Sequence, residues 1–491
     1  MRDGDSRGSA AWSRRRLLAT GAASVATALG SGLAGATSTG QGTSDPPGAI
    51  PAGRSAHSLD SFLHGVAAGS YDLVRTFADG ETGLVPDRID VADGEAQPGD
   101  RTSPANVGVQ LLSTVAAHDL GIVPERDARS RVARVLDTLE SADTWNGLFR
   151  RWYAVDDGSV HDSASAANVS TIDNGWLSAG LLVAGRAFDS LGDRARSLVA
   201  AQDYSALYEP EIYDLFESGF ASPGLLHAKY DPDGGGLVGT FGALNAETRI
   251  AYYVAIGKGD IPAGSWWQMY RTFPPGDAYS WTNQDPDGET RTYRTDGDSI
   301  DVFEGHYEYF DRAYVPSWGG SMFEALMPSL VVNERALGEA NFAANNRRHA
   351  QVQVAYADES DYDAWGFSPA ATPNGGYGVF AVDQLGMSGY ERDDFVTPHA
   401  TFLALEYLDE GTIRENLRQF QRWGARGDYG FYDSVERATG RVTRSYLILD
   451  QAMSIAAIAN YLTDGTLRDR FHADPVAGAA EDLLTTETFS I

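Results

Sequence analysis

Twelve stretches of this chain repeat apolar side chains at intervals of three and four, near 59–78, 105–120, 125–141, 174–190, 193–203, 246–258, 263–272, 320–333, 335–357, 398–408, 411–423 and 450–463. That spacing gathers the apolar residues on one helical face. Start signals agree with it: Ser103-Pro104 stands ahead of 105–120, Asp173 ahead of 174–190, and Thr397-Pro398 ahead of 398–408. A long alternating α/β fold would need apolar β-branched runs every thirty residues or so, roughly, and the chain lacks them. Between the helices run long connections, 80–102, 143–172, 273–317 and 359–396, rich in Trp, Tyr, Gly and Asp. Connections of that length in a compact domain usually carry function. The expected fold is therefore all-α: a barrel of six inner and six outer helices, whose aromatic and acidic loops build a pocket at one end. Short hairpins inside the loops, for instance 429–446, are compatible with it.

Composition narrows the chemistry. With no cysteine among 491 residues, disulfides, zinc-thiolate sites, iron–sulfur clusters and thiol nucleophiles are excluded together. The 38 Lys and Arg against 68 Asp and Glu give a net charge of −30, and only Lys229 and Lys258 are lysines. Carboxylates hold hydration water, and molar salt screens their repulsion. We read the surface as halophilic, with a haloarchaeal source; a GC-rich genome would explain the missing lysines but not the charge. The same field opposes nucleic acid and anionic membranes as partners, since phosphates need clustered Lys and Arg.

At the N-terminus, Ser13-Arg14-Arg15-Arg16-Leu17-Leu18 precedes an uncharged run from Ala19 to Ala36 that ends in Ala34-Gly35-Ala36. This is the pattern of a twin-arginine export signal, assigned to 1–36. The run is only weakly apolar and broken by glycines, so a membrane anchor fits less well, and no membrane insertion is expected after its removal. Residues 37–57 read as a flexible linker, residues 58–480 as the barrel, and the mature protein as secreted or on the extracellular face.

Four stretches set carboxylates in apolar helical surroundings: Thr171-Ile172-Asp173-Asn174-Gly175-Trp176, the helix beginning Asn245-Ala246-Glu247-Thr248-Arg249, Trp318-Gly319-Gly320-Ser321-Met322-Phe323-Glu324-Ala325-Leu326-Met327-Pro328, and Leu449-Asp450-Gln451-Ala452. A carboxylate in such a place needs a partner, or its pKa rises. Asp173 also suits a plain N-cap. Two or more of these acids facing one cavity would give what glycoside hydrolysis needs, one acid protonated and another acting as base or nucleophile.

With Ala255-Ile256-Gly257-Lys258-Gly259-Asp260-Ile261-Pro262, Thr82-Gly83-Leu84-Val85-Pro86-Asp87-Arg88, Thr102 to Gly108, Trp365-Gly366-Phe367-Ser368 and Val396-Thr397-Pro398-His399-Ala400, these stretches run in order from about Tyr71 to Phe471. They resemble the putative-glucoamylase family, which includes bacterial endo-β-1,2-glucanases and a domain of the cyclic β-1,2-glucan synthases. The resemblance implies an (α/α)6 barrel, or six-hairpin toroid, that hydrolyses or transglycosylates a glucan or related oligosaccharide without an organic cofactor. It implies Glu247 and Glu324 as the leading catalytic carboxylates, with Asp173 next and Asp450 fourth; either Glu could instead stand behind the pocket, paired with Arg249 or Arg271. Trp176, Trp318, Trp365 and Tyr377 are candidate sugar platforms, and Arg88, Arg249 and His399 candidate substrate-binding groups. Asn245, Thr248, Ala325 and Ala452 depart from the family's usual residues, so the resemblance leaves the linkage open.

No metal ligands are assigned. Asp296-Gly297-Asp298-Ser299-Ile300-Asp301 has some look of a calcium loop but lacks the full ligand spacing. The default for the 273–317 connection, which also holds Trp281, is a solvated insertion. Two other classes are weighed: a non-catalytic carbohydrate-binding cell-surface protein on the same scaffold, and a polysaccharide lyase, which would want basic residues and a Tyr or His base.

Overall fold

The computed structural model describes residues 56–216, 219–276, 282–295, 298–390 and 392–491. The export signal at 1–36, the linker up to residue 55, Trp281, and Asp296 and Gly297 of the calcium-like loop lie outside them.

Twelve helices build the frame: α1 (Ala56–Phe77), α2 (Pro104–Asp119), α3 (Glu125–Ser141), α4 (Thr171–Ala187), α5 (Gly192–Ala201), α6 (Arg249–Lys258), α7 (Gly264–Gln268), α8 (Met322–Leu326), α9 (Phe342–Glu359), α10 (Pro398–Leu403), α11 (Glu410–Arg422) and α12 (Ile448–Thr463). Sequence separates inner from outer. In α3 only Ala128, Val132, Val135, Leu136 and Leu139 are buried, a single stripe. Every residue of α2 from Pro104 to Ala117 is buried, as is every residue of α12 from Ile448 to Asn460 except Leu449. A helix apolar on one stripe lies at the surface, and one buried all round must sit among other helices.

The inner helices form a ring. α2 packs on α4, α4 on α6, α8 on α10, α10 on α12, and α12 back on α2. Arg249 of α6 spans the remaining step, donating from Nη2 to the Ala325 carbonyl of α8 at 2.7 Å. Outside the ring, α1 lies on α12 and α2, α3 on α2, α5 on α4, α9 on α8, and α11 on α10. Glycine sets the tightest crossing: a Cβ on Gly108 would lie 2.2 Å from the Trp176 carbonyl oxygen, and one on Gly180 2.2 Å from that of Gly108. The backbones of α2 and α4 touch there, which only glycine permits.

The architecture is thus the expected α/α toroid, but strictly all-α it is not. Short antiparallel strands fill the connections, including the anticipated Ser434–Glu436/Arg441–Thr443 hairpin. Strand Arg88–Ala92 pairs with Ser445–Leu447, which delivers the chain into α12. The 273–317 connection is a correction: Asp287–Thr295 and Asp298–Tyr309 form a long hairpin rather than a solvated insertion. It buries Tyr293, Val302, Glu304 and Tyr307, and Arg271 pairs with both Glu304 and Glu487. The C-terminal residues Leu484, Glu487 and Phe489 are buried as part of the same core. No described helix is long and apolar enough to cross a membrane.

Candidate active site

The inner helices alternate with outer ones that return the chain, so their N-termini open at one end of the ring. Carboxylates gather there. Asp173, Glu324 and Asp450 each occupy the third position of an inner helix, after Ser170, Ser321 and Leu447 as N-caps. From that position a side chain leans back over the helix start, where the positive end of the macrodipole favours an anion. Asp173 is therefore not an N-cap: Ser170 Oγ caps its backbone N–H, and α4 begins three residues earlier than the 174 expected from sequence.

Glu247 stands in the turn just ahead of α6 and is 4 % exposed. Burial, then repulsion from Glu324, pushes its pKa up to about 8. At neutral pH it is a carboxylic acid. Burial raises Glu324 too, yet its surroundings favour charge. Its carboxylate accepts from Ser317 Oγ at 2.9 Å, the Gly319 N–H at 3.0 Å, the Ser321 N–H at 3.2 Å and the Tyr390 hydroxyl at 3.1 Å. Donors aimed at a carboxylate stabilise its ionised form, so within the pair Glu324 is the anion and Glu247 holds the proton. Gly319 is required here, because a Cβ would lie 2.1 Å from the Tyr390 ring.

Asp173 is half-buried at the wall; burial pushes it to about 6, opposed by the charge of Arg151. It also adds to the repulsion on Glu247. Tyr377 is half-buried and lies in the field of Asp450, Asp433, Asp87 and Glu247, so its hydroxyl is held far above the usual tyrosine range by burial first and these charges second. Electrostatic contact therefore links the four predicted carboxylates, Glu247 with Glu324 and Asp173 directly and Asp450 with Glu247 by way of Tyr377. Trp318, half-buried and edge-on to Phe273 at 6.1 Å, flanks Glu324 through the chain at Gly319.

Five predicted binding residues sit elsewhere. Trp176 is 1 % exposed and belongs to the core between α4 and its neighbours, not to a sugar-stacking face. Arg249 is buried in an ion pair with Glu334 at 2.8 Å and reaches no substrate; it pairs with neither catalytic candidate, and Arg271 is likewise taken by Glu304 and Glu487. Trp365 is 5 % exposed in the core, its backbone clamped at both ends by Asn416. Arg88 donates to Asp90, to the Gly375 and Gly376 carbonyls and to Ser445 Oγ, so it ties down the Tyr377 loop instead of offering free donors to a sugar. His399 is buried behind the cavity, its Nδ1 3.4 Å from Asp450 Oδ2; burial holds it near 3 and neutral. Of the calcium-like loop, Asp301 lies on a strand and accepts from Thr292 Oγ1 at 2.6 Å.

The structure adds residues that the sequence reading did not select: Asp87, held by Asn106 Nδ2 at 2.7 Å; Asp433, whose carboxylate faces that of Asp450; and Arg151 and Tyr390. His399, Asp433 and Asp450 each offer a ligand atom within 4.8 Å of the other two, the one such cluster among the described residues.

Known proteins share this frame. A family model described as Protein of unknown function matches residues 67–214. The cyclic β-(1,2)-glucan synthase NdvB of Rhizobium meliloti is 32% identical over 311 residues, 60% of this chain, and this chain spans 9% of that relative's length. The crystal structure of a putative glucoamylase from Bacteroides uniformis superposes with a TM-score of 0.67 at 16% identity, covering 87% of this chain and 97% of that one. An endo-β-1,2-glucanase from Chitinophaga pinensis, in complex with sophorotriose and glucose, does so with a TM-score of 0.64 at 17% identity, covering 87% and 97%. These likenesses establish the α/α toroid. Residues 243–475, which carry Glu247, Glu324, Asp433 and Asp450, match the family model described as Putative glucoamylase.

Proposed function

We propose that this protein is a glycoside hydrolase that cleaves a glucan, with β-1,2-linked glucan as the first substrate to test. One observation carries the reading: two buried carboxylates repel each other, so that Glu247 keeps its proton while Glu324, served by four donors, gives its proton up. Hydrolysis of a glycosidic bond asks for that division of labour. Glu247 donates its proton to the glycosidic oxygen as the C–O bond breaks. The Glu324 carboxylate faces the positive charge that develops on the ring whose anomeric carbon loses that bond; water adds its hydroxyl to this carbon, and the proton the water sheds restores Glu247 to its acid form. Trp318 and Tyr377 line the wall against which sugar rings stack. The glucan synthase relative and the endo-β-1,2-glucanase fold neighbour support the substrate class.

The proposal includes export through the signal at 1–36 and work in concentrated salt. Reducing-sugar release from β-1,2-glucan in molar NaCl, by wild type and by the Glu247→Gln and Glu324→Gln variants, tests it. Both variants are expected to stay folded and lose turnover; unchanged turnover in both would remove the assignment. A wild-type protein that binds the glucan without cleaving it would make this a carbohydrate-binding protein instead.

A further inference from the structure

Behind the carboxylate pair lies a second cluster whose polar atoms point at one another and find no partner outside it. His399 at the second position of α10, Asp433 just ahead of strand Ser434–Glu436, and Asp450 in the first turn of α12 are 3, 2 and 4 % exposed. His399 Nδ1, Asp433 Oδ1 and Asp450 Oδ2 are fully buried and make no hydrogen bond. They converge on a small cavity whose other polar lining is already satisfied: Ser70 Oγ donates to Gln451 Oε1 at 2.8 Å, and Gln451 Nε2 donates to the Phe431 carbonyl at 2.8 Å. The remaining Asp433 oxygen accepts from the Ala371 N–H at 2.6 Å. Two carboxylates buried face to face are strongly unfavourable unless something positive stands between them.

Geometry and ligand chemistry identify what fits. The Nδ1–Oδ2 separation of 3.4 Å is close to the roughly 3.3 Å between two ligands that each lie about 2.0–2.1 Å from a tetrahedral centre. A nitrogen ligand among only three protein ligands disfavours Ca²⁺ and Mg²⁺, which prefer oxygen, and favours the later divalent transition metals.

We propose that His399 Nδ1, Asp433 Oδ1 and Asp450 Oδ2 form a binding site for a divalent transition-metal cation of the Zn²⁺ class, with a water completing its shell. The ion would clasp α10, α12 and the chain entering strand Ser434–Glu436, locking the last two inner helices together under Tyr377. No hydrolytic chemistry is needed for this, and the site stands or falls apart from the catalytic reading. Its ligands lie on three separate elements between residues 399 and 450, a spacing that matches no short metal motif.

The test uses the full chain, stripped with a chelator, dialysed, and titrated with Zn²⁺ by calorimetry and with Co²⁺ by visible absorption. The expected result is about one equivalent of Zn²⁺ per chain, Co²⁺ bands of a tetrahedral nitrogen–oxygen site, and a higher melting midpoint with Zn²⁺. His399→Gln and Asp433→Asn should each weaken binding by about tenfold or more. Folded wild type that takes up no stoichiometric metal overturns the proposal and leaves Asp433 and Asp450 sharing a proton. Undiminished binding in Asp433→Asn overturns it as well, since the ion then sits elsewhere. Should either variant fail to fold, anomalous diffraction from wild-type crystals soaked in Zn²⁺ decides: a peak between the three side chains supports the site, and its absence there refutes it.

Discussion

Replacing Glu247 by Gln should cut turnover sharply and, above neutral pH, make the protein more stable. The carboxyl holds its proton up to about 8 in the folded chain, against an ordinary 4.5, because burial and the Glu324 charge both penalise ionisation. Between those two values the native state binds a proton that the unfolded chain has released. Stability is therefore full below pH 4.5 and falls as pH rises through the window, by about 1.4 kcal/mol for each pH unit. Across the window that is on the order of 4 to 5 kcal/mol. Gln has the shape of the protonated acid and cannot ionise, so the variant lacks this slope. Asp433 and Glu487, whose pKa values burial also raises, tilt both proteins alike, and the difference between the two isolates Glu247 and the carboxylates it repels. Urea melts at pH 5, 7 and 9 measure it: near-equal stability at pH 5, and the variant ahead by several kcal/mol at pH 9. Turnover should drop by about 10²–10⁴-fold, the usual worth of a general acid. Parallel stability curves for the two proteins would refute the argument, because Glu247 would then not be the group carrying the proton.

Other perturbations separate site from scaffold. Tyr390→Phe removes a donor to the Glu324 anion, so the acidic limb of the pH–rate profile should move up by about one pH unit, the worth of one such hydrogen bond; an unmoved limb would take Glu324 out of the profile. Arg249→Ala leaves Glu334 buried and unpaired and should cost about 3–5 kcal/mol in denaturant melts, with KM little changed in the fraction that folds. Gly108→Ala forces α2 away from the Trp176 carbonyl, a contact with backbone that cannot yield, and should lower the melting midpoint by more than the roughly 1–3 kcal/mol of ordinary overpacking.

How much of this was legible followed from how each residue type advertises its place. The helices were legible because burial on one face or all round leaves an apolar pattern ten or more residues long, and all twelve segments overlap an observed helix. Most strands run two to five residues, too short to show alternation, and the one long hairpin alternates Thr, Tyr and Arg along residues 290–295 in a stretch whose many acids suggested solvent. Trp176 and Arg249 were misplaced for a different reason: residue type states what a side chain can do, but only the packing of α4 and α6 decides that both turn into protein.

The acids divide along the same line. Asp173, Glu324 and Asp450 were legible because an acid in an apolar helix has no ordinary explanation. Asp87 and Asp433 lie in polar loops, where an acid is unremarkable in a chain with 68 of them, and only the closed ring brings them to the others. Helix position connects the two sets. Asp173, Glu324 and Asp450 hold the third position of α4, α8 and α12, and the third position of α2 is Asn106. An amide there cannot supply a carboxylate, but it donates to one at 2.7 Å, and the recipient is Asp87 from the preceding loop. At α2 the ring mouth thus gains by hydrogen bond the acid that the other three helices carry themselves, which is why a search for carboxylates within helices passed it by.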